Sequence, residues 1–132
     1  GWTFERLVEE LNARVFFWPG RDAPIDYGRR HFERYRSEGP ALLRLDILDI
    51  CVANPRVGPD VCRYNSGSPR FSNGRPSPRG PDTFQPLALS DLTPSQVVEV
   101  TFRRAITLPP SVEVAAHPEG PWAPLFVNTS TP

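Results

Sequence analysis

An α+β fold is what this sequence predicts, and three observations carry the prediction. Helical periodicity comes early in the chain, where apolar residues recur three and four positions apart. Short runs of β type follow, joined by long connections punctuated with proline and glycine. The two kinds of element do not alternate as a regular βαβ series, which separates α+β from α/β. At 132 residues the chain has the length of one domain with a modest core. Residues 1–132 are therefore expected to form a single unit, with 123–132 a proline-punctuated tail that frays beyond Val127.

The first element is a helix. Thr3 caps it, and Phe4, Leu7, Val8 and Leu11 share one face, while Glu5, Glu9 and Glu10 occupy the other. Acids in its first turns suit the helix dipole, and Asn12 or Ala13 ends it. Val15-Phe16-Phe17-Trp18 is a continuous apolar run stopped by Pro19-Gly20, and it predicts a short strand covered on both faces. A second helix is expected from Ile25 to Ser37, with Pro24 in its first turn and Gly39-Pro40 as its stop. Tyr27, His31 and Tyr35 then form one stripe with Phe32 beside it. That stripe either places a ring over a ligand or packs into the core.

Ala41–Leu45 reads as a strand with Asp46 and Ile47 at its end, followed by a short helical turn through Cys51 and Ala53 that Asn54-Pro55 closes. Val61–Tyr64 is a candidate strand, and Asp91-Leu92-Thr93-Pro94 a turn or short helix start. From Val97 to Phe102 the alternation of Val98, Val100 and Phe102 with Val97, Glu99 and Thr101 predicts a half-buried antiparallel strand. Val112-Glu113-Val114 is the last strand.

Composition excludes several classes. Basic and acidic residues balance at 15 each, so a generally basic nucleic-acid binder is not indicated and any cationic patch is local. No apolar run approaches the length of roughly 18 residues that a membrane helix needs, and no signal peptide opens the sequence. Cys51 and Cys62 do not make a disulfide framework; they read as reduced thiols of a cytoplasmic protein, with a single bridge as the alternative. Two cysteines and two distant histidines make no metal site. Walker A, G-x-G-x-x-G and G-x-S-x-G patterns are absent.

The positive charge concentrates between Cys62 and Phe84. Arg63, Arg70, Arg75 and Arg79 lie there with no acid before Asp82, among Tyr64, Asn65, Ser66, Ser68 and Thr83. Prolines and glycines fix the turns between them. A planar fork of donors suits phosphate or carboxylate, so the stretch predicts an ordered cationic loop for a phosphate-bearing ligand. A solvated loop is the competing reading, because all 15 basic residues of the chain are arginine.

Five short landmarks, in order, carry a resemblance: Leu11–Trp18, Leu43-Arg44-Leu45-Asp46, Asn65-Ser66-Gly67-Ser68, Arg79-Gly80-x-x-Thr83-Phe84-x-Pro86 and Val97–Val100. Over about residues 7–115 the chain resembles an uncharacterised bacterial domain family that is distantly similar to the DarT-type ADP-ribosyltransferases. The resemblance implies an ADP-ribosyltransferase-like split antiparallel sheet with two N-terminal helices and NAD as substrate. It implies transfer of ADP-ribose to nucleic acid, protein or a small molecule. It also implies a histidine-bearing strand ahead of the first helix, which this sequence does not contain, so the family's first strand is expected to be missing. Glu99 is the acid placed to steady a cationic ribose, since its side faces away from Val98 and Val100. Arg63, Arg70 and Arg79 fall to the pyrophosphate or to target phosphates, Asn65 and Ser66 to orienting the ligand, and Thr83 and Tyr27 complete the cofactor set. A non-enzymatic module that grips nucleic acid or an acidic protein with the same loop is the alternative, and a solvent-filled loop on a structural fragment is a third.

Overall fold

The computed structural model describes residues 1–20, 26–67, 71–72, 75–76 and 79–127, the four at 71–72 and 75–76 by their backbone only. Among the described residues, three α-helices and nine short strands follow in the order α1 Phe4–Asn12, β1 Arg14–Phe17, α2 Tyr27–Tyr35, β2 Leu42–Arg44, α3 Ile47–Ala53, β3 Asp60–Cys62, β4 Phe71–Ser72, β5 Arg75–Pro76, β6 Gln85–Pro86, β7 Glu99–Arg103, β8 Glu113–Ala115 and β9 Ala123–Pro124. All strand pairs are antiparallel, in a four-stranded sheet of order β1-β7-β3-β6, a three-stranded sheet of order β2-β8-β9 and the β4-β5 pair. The fold is α+β. Among the described residues no helix is long and apolar enough to cross a membrane.

The chain divides into two compact units, one made of residues 1–25 and 57–105, the other of 26–56 and 106–132. In the first, α1 starts where expected: Thr3 Oγ1 accepts the Arg6 N–H at 3.2 Å. Its buried residue departs from the periodicity, however. Glu10 is 6% exposed while Phe4 is 76% exposed. A carboxylate goes inside only when it is paired. Here Arg6, Arg14 and Arg103 approach Glu10 at 2.8, 3.6 and 3.6 Å.

The strand that follows is an edge strand, and so it is not covered on both faces as the apolar run suggested. Phe16 and Trp18 remain 37% and 38% exposed. The position buried on both faces belongs to β7, which pairs with β1 on one side and β3 on the other. Thr101 and Phe102, adjacent and on opposite faces, are both closed to solvent. Phe17 meets Phe102 edge-on at 5.9 Å. On the Thr101 side Arg14 donates to Asp60 at 2.6 Å and to the Thr101 hydroxyl at 3.0 Å, with its guanidinium 4.0 Å above the Phe84 ring. Pro86 sits on the edge strand β6, where a missing N–H costs no ladder bond.

In the second unit Asp26 caps α2, accepting the Arg29 N–H at 2.9 Å. The helix thus begins at Tyr27 rather than at Ile25, and the Pro24 and Ile25 expectations lie outside the described residues. It passes into a 3-10 turn, Arg36–Glu38, and Gly39 closes it in the left-handed region with φ 62°. Phe32, Ile50, Val112 and Ala115 are buried here. Asn54, at the end of α3, ties this unit together: its side-chain amide donates to Ile50 O and Thr107 O at 2.9 and 2.8 Å and accepts the Thr107 N–H at 2.7 Å. Arg44 and Glu113, directly opposite in the β2-β8 register, pair at 2.9 Å under the Trp122 ring. Beyond β9, Leu125 N–H still donates to Val112 O at 3.0 Å, and the expected fraying beyond Val127 concerns residues outside those described.

Candidate functional site

The arginine-rich segment leaves the sheet at the end of β3, and β7 starts opposite it. Cys62 and Glu99 are register partners, and Val98 N–H donates to Cys62 O at 2.8 Å just ahead of the strand. Four of the residues singled out in the sequence, Ser66, Arg79, Thr83 and Glu99, are all buried, and hydrogen bonds and ring contacts join them.

Glu99 is central to the cluster. The alternation put its side chain on the opposite face from Val98 and Val100, but the far face is covered too, and Glu99 is only 4% exposed. Its Oε1 accepts the Ser66 N–H at 3.1 Å. Burial pushes the carboxyl above the usual glutamate range, and the Ser66 hydrogen bonding and the Arg79 charge pull it partly back. Arg79 lies with its guanidinium 4.1 Å over the Tyr64 ring and donates from Nε to Ser66 O at 3.4 Å. Thr83 closes the turn after Gly80, accepting the Gly80 N–H at 2.9 Å while its own N–H donates to Gly80 O at 2.9 Å. The Tyr64 hydroxyl donates to Thr83 Oγ1 at 3.3 Å. Trp2 N–H reaches Arg79 O at 2.6 Å. The Ser66 hydroxyl is buried beside the Glu99 carboxyl.

Arg63 is placed differently. It is exposed and makes no ion pair among the described residues. With Leu92, Ser95 and Gln96 it lines a shallow depression of about 330 Å³ that is largely open to solvent. Gln96 is fixed there because its Oε1 accepts the Thr93 N–H at 2.9 Å, which leaves its amide nitrogen as a donor. Asn65 is half-buried between Tyr64 and Ser66. Arg70 lies outside the described residues, and of Arg75 only the backbone is described, in β5. Tyr27 opens α2 in the other unit, with the Arg30 guanidinium 5.7 Å from its ring.

Two features escaped the sequence. Tyr64 was visible only as a hydrogen-bonding residue, yet its ring carries Arg79. The Glu10–Arg14–Asp60 network was signalled only by the four-residue spacing of Glu10 and Arg14, since nothing local brings Asp60 to them. Cys51 and Cys62 form no disulfide and belong to different units.

Comparison with curated proteins finds no match, and comparison with solved structures finds none. One family model, described as a family of unknown function (DUF7002), matches residues 1–110.

Proposed function

The chain belongs to the DUF7002 family, and for this member we propose an ADP-ribosyltransferase-like domain that takes NAD at the β3/β7 end of the four-stranded sheet. One observation carries the reading: Arg63, an exposed guanidinium with no carboxylate partner among the described residues, lines the cleft beside Ser95 and Gln96, and the buried Glu99 lies three positions further along the chain. A cation left uncompensated at a cleft suits a pyrophosphate. The ordered likeness to the DarT-type ADP-ribosyltransferases favours NAD among the possible dinucleotides.

In the proposed reaction the bond between ribose C1′ and the nicotinamide nitrogen breaks. Its electron pair leaves with nicotinamide, whose ring loses its positive charge. An acceptor oxygen or nitrogen then bonds to C1′ and releases its proton to solvent. Glu99, as carboxylate, steadies the cationic ribose between these events, and Arg63 holds the pyrophosphate. Glu99, Arg79 and Thr83 are closed to solvent, so the Tyr64–Gly67 segment has to lift from Glu99 before a ribose reaches it. The Ser66 hydroxyl would then meet the ligand.

Calorimetric titration with NAD, paired with an assay for released nicotinamide, tests this. Arg63→Ala is expected to weaken NAD by about 1–3 kcal/mol, the scale of a charge-assisted hydrogen bond. Glu99→Gln is expected to keep binding and lose nicotinamide release. No NAD heat and no nicotinamide from the wild-type chain would overturn the proposal. The closure of Glu99 favours one second reading, a non-enzymatic module in which Arg63 meets an anionic partner and Glu99 only shapes the loop. Under it, Arg63→Ala weakens a salt-sensitive association that NAD does not compete with.

A further inference from the structure

Arg79 is 6% exposed, and a guanidinium goes inside only when its charge and its donors are answered. Its contacts converge on one short stretch of chain. The guanidinium lies 4.1 Å over the Tyr64 ring and Nε donates to Ser66 O at 3.4 Å, so one side chain grips two positions of the same turn. The backbone of Arg79 is held in its place from the other side. Trp2 N–H donates to Arg79 O at 2.6 Å, and the following Gly80 is bonded through both its N–H and its carbonyl to Thr83. All of these residues belong to the first unit.

What the grip covers is Glu99. Ser66 N–H donates to Glu99 Oε1 at 3.1 Å, and the carboxylate side chain is 4% exposed beneath it. The sheet does not supply that cover. The β3-β7 ladder stops at the Cys62–Glu99 pair, with Val98 N–H donating to Cys62 O at 2.8 Å, and residues 63–67 belong to no strand. Side chains hold them down instead: the Glu99 bond to Ser66, the Tyr64 hydroxyl on Thr83 Oγ1 at 3.3 Å and the two contacts of Arg79. A ring stack and single hydrogen bonds are each weak enough to break while a neighbouring ladder stays paired.

We propose that Arg79 is a clasp that holds the Tyr64–Gly67 segment shut over Glu99, and that its release is the step that admits a ligand to the carboxylate. Arg79 is then a positioning residue that acts through Tyr64 and Ser66. The gating role rests on the NAD site proposed above; the clasp itself does not. Two rival roles make different forecasts. A static plug opens only when the whole unit unfolds. An arginine that touches the ligand weakens binding when it is removed. A clasp does the reverse: loosening it raises the fraction of chains in which Glu99 is reachable and tightens the apparent affinity by the same factor.

Amide exchange of the full chain, followed by NMR without ligand, tests the clasp by reading Ser66 N–H against Val98 N–H. In the wild type Ser66 is expected to exchange faster than Val98, through a local opening. Arg79→Met, which fills the space without charge or donors, and Tyr64→Leu, which removes the ring, should each speed Ser66 roughly fivefold or more. Val98 should stay protected in both, which also shows that each variant folds. Tyr64→Phe keeps the ring and should stay near the wild type. Trp2→Pro removes the N–H that holds Arg79 O and should release Ser66, whereas Trp2→Ala keeps that N–H and should not. Calorimetry with NAD should then show tighter binding in Arg79→Met and Tyr64→Leu. Exchange of Ser66 and Val98 at one rate in the wild type overturns the proposal, and so does a Ser66 rate that neither Arg79→Met nor Tyr64→Leu moves. Weaker NAD binding in Arg79→Met with Ser66 unmoved assigns Arg79 to the ligand and overturns it too. No NAD heat from any variant, with Ser66 released as expected, sinks the NAD reading and leaves the clasp standing.

Discussion

A glutamate 4% exposed next to a serine N–H is the residue on which the site turns, and its ionisation has a measurable cost. Because burial raises the folded-state pKa of Glu99 above its unfolded value, the folded chain holds this proton more tightly than the unfolded chain. Stability contributed by Glu99 is therefore fully present below the ordinary glutamate pKa. It is lost as pH rises from there through the raised folded value. Glu99→Gln keeps an oxygen that accepts the Ser66 N–H and carries no charge to desolvate. Urea melts across pH 4–8 should show the wild type losing stability relative to Glu99→Gln over that window, with the difference constant above it. A Glu99→Gln chain that is markedly less stable at neutral pH would mean that the ionised carboxylate is well compensated by Arg79. The same proton enters the proposed reaction. If ionised Glu99 steadies the ribose, nicotinamide release should climb with pH along a single limb lying above the usual glutamate range, and a flat profile would remove Glu99 from the chemistry.

At the scale of elements, the load falls on a few polar clamps. Asn54 binds both backbone groups of Thr107 and caps α3 through Ile50 O, so one side chain joins segments 53 positions apart. Asn54→Ala leaves the buried Ile50 carbonyl and the part-buried N–H and carbonyl of Thr107 short of partners. It should destabilise the chain by about 1–3 kcal/mol, the scale for a polar group left unsatisfied, read as a lowered thermal midpoint. Elements of this kind also mark the limit of what could be read from the sequence. The Thr3 cap, the Gly39 stop and the short strand at Leu42–Arg44 were legible because turn chemistry and capping act over a few residues. Periodicity placed α1 but not its buried residue, Glu10, because the partners that make a buried carboxylate tolerable come from β1 and β7. It likewise exchanged the roles of β1 and β7: an apolar run does not say whether it sits at an edge, and the Glu99–Thr101 face looks polar until Arg14, Asp60 and Arg79 are brought against it. The site shows the same pattern. Ser66, Arg79, Thr83 and Glu99 were named from residue type and do come together, whereas the Tyr64 platform and the Leu92–Gln96 wall of the cleft depend on contacts no local spacing encodes.

For the whole molecule the consequence lies in how the chain is divided. Each compact unit is built from two separate stretches, so neither is completed by a single run of sequence. The family match ends at residue 110, while β8 and β9, which make up two of the three strands of the second sheet, lie at Glu113–Ala115 and Ala123–Pro124. The matched segment therefore holds every strand of the four-stranded sheet but leaves β2 without its partner. A chain ending at residue 110 also loses Val112 and Ala115, two of the buried apolar residues of that unit, and the carboxylate of Glu119 that neutralises Arg29. Phe32 and Ile50 would then face water, at a cost of roughly 1.5–3 kcal/mol for each large side chain left uncovered. Such a truncation should keep amide-exchange protection in β1, β3 and β7 and lose it through α2 and α3. It should also retain the NAD binding proposed at the Arg63 cleft, whose residues lie in the first unit. Loss of protection in both units together would show that the second unit is required for the first to fold.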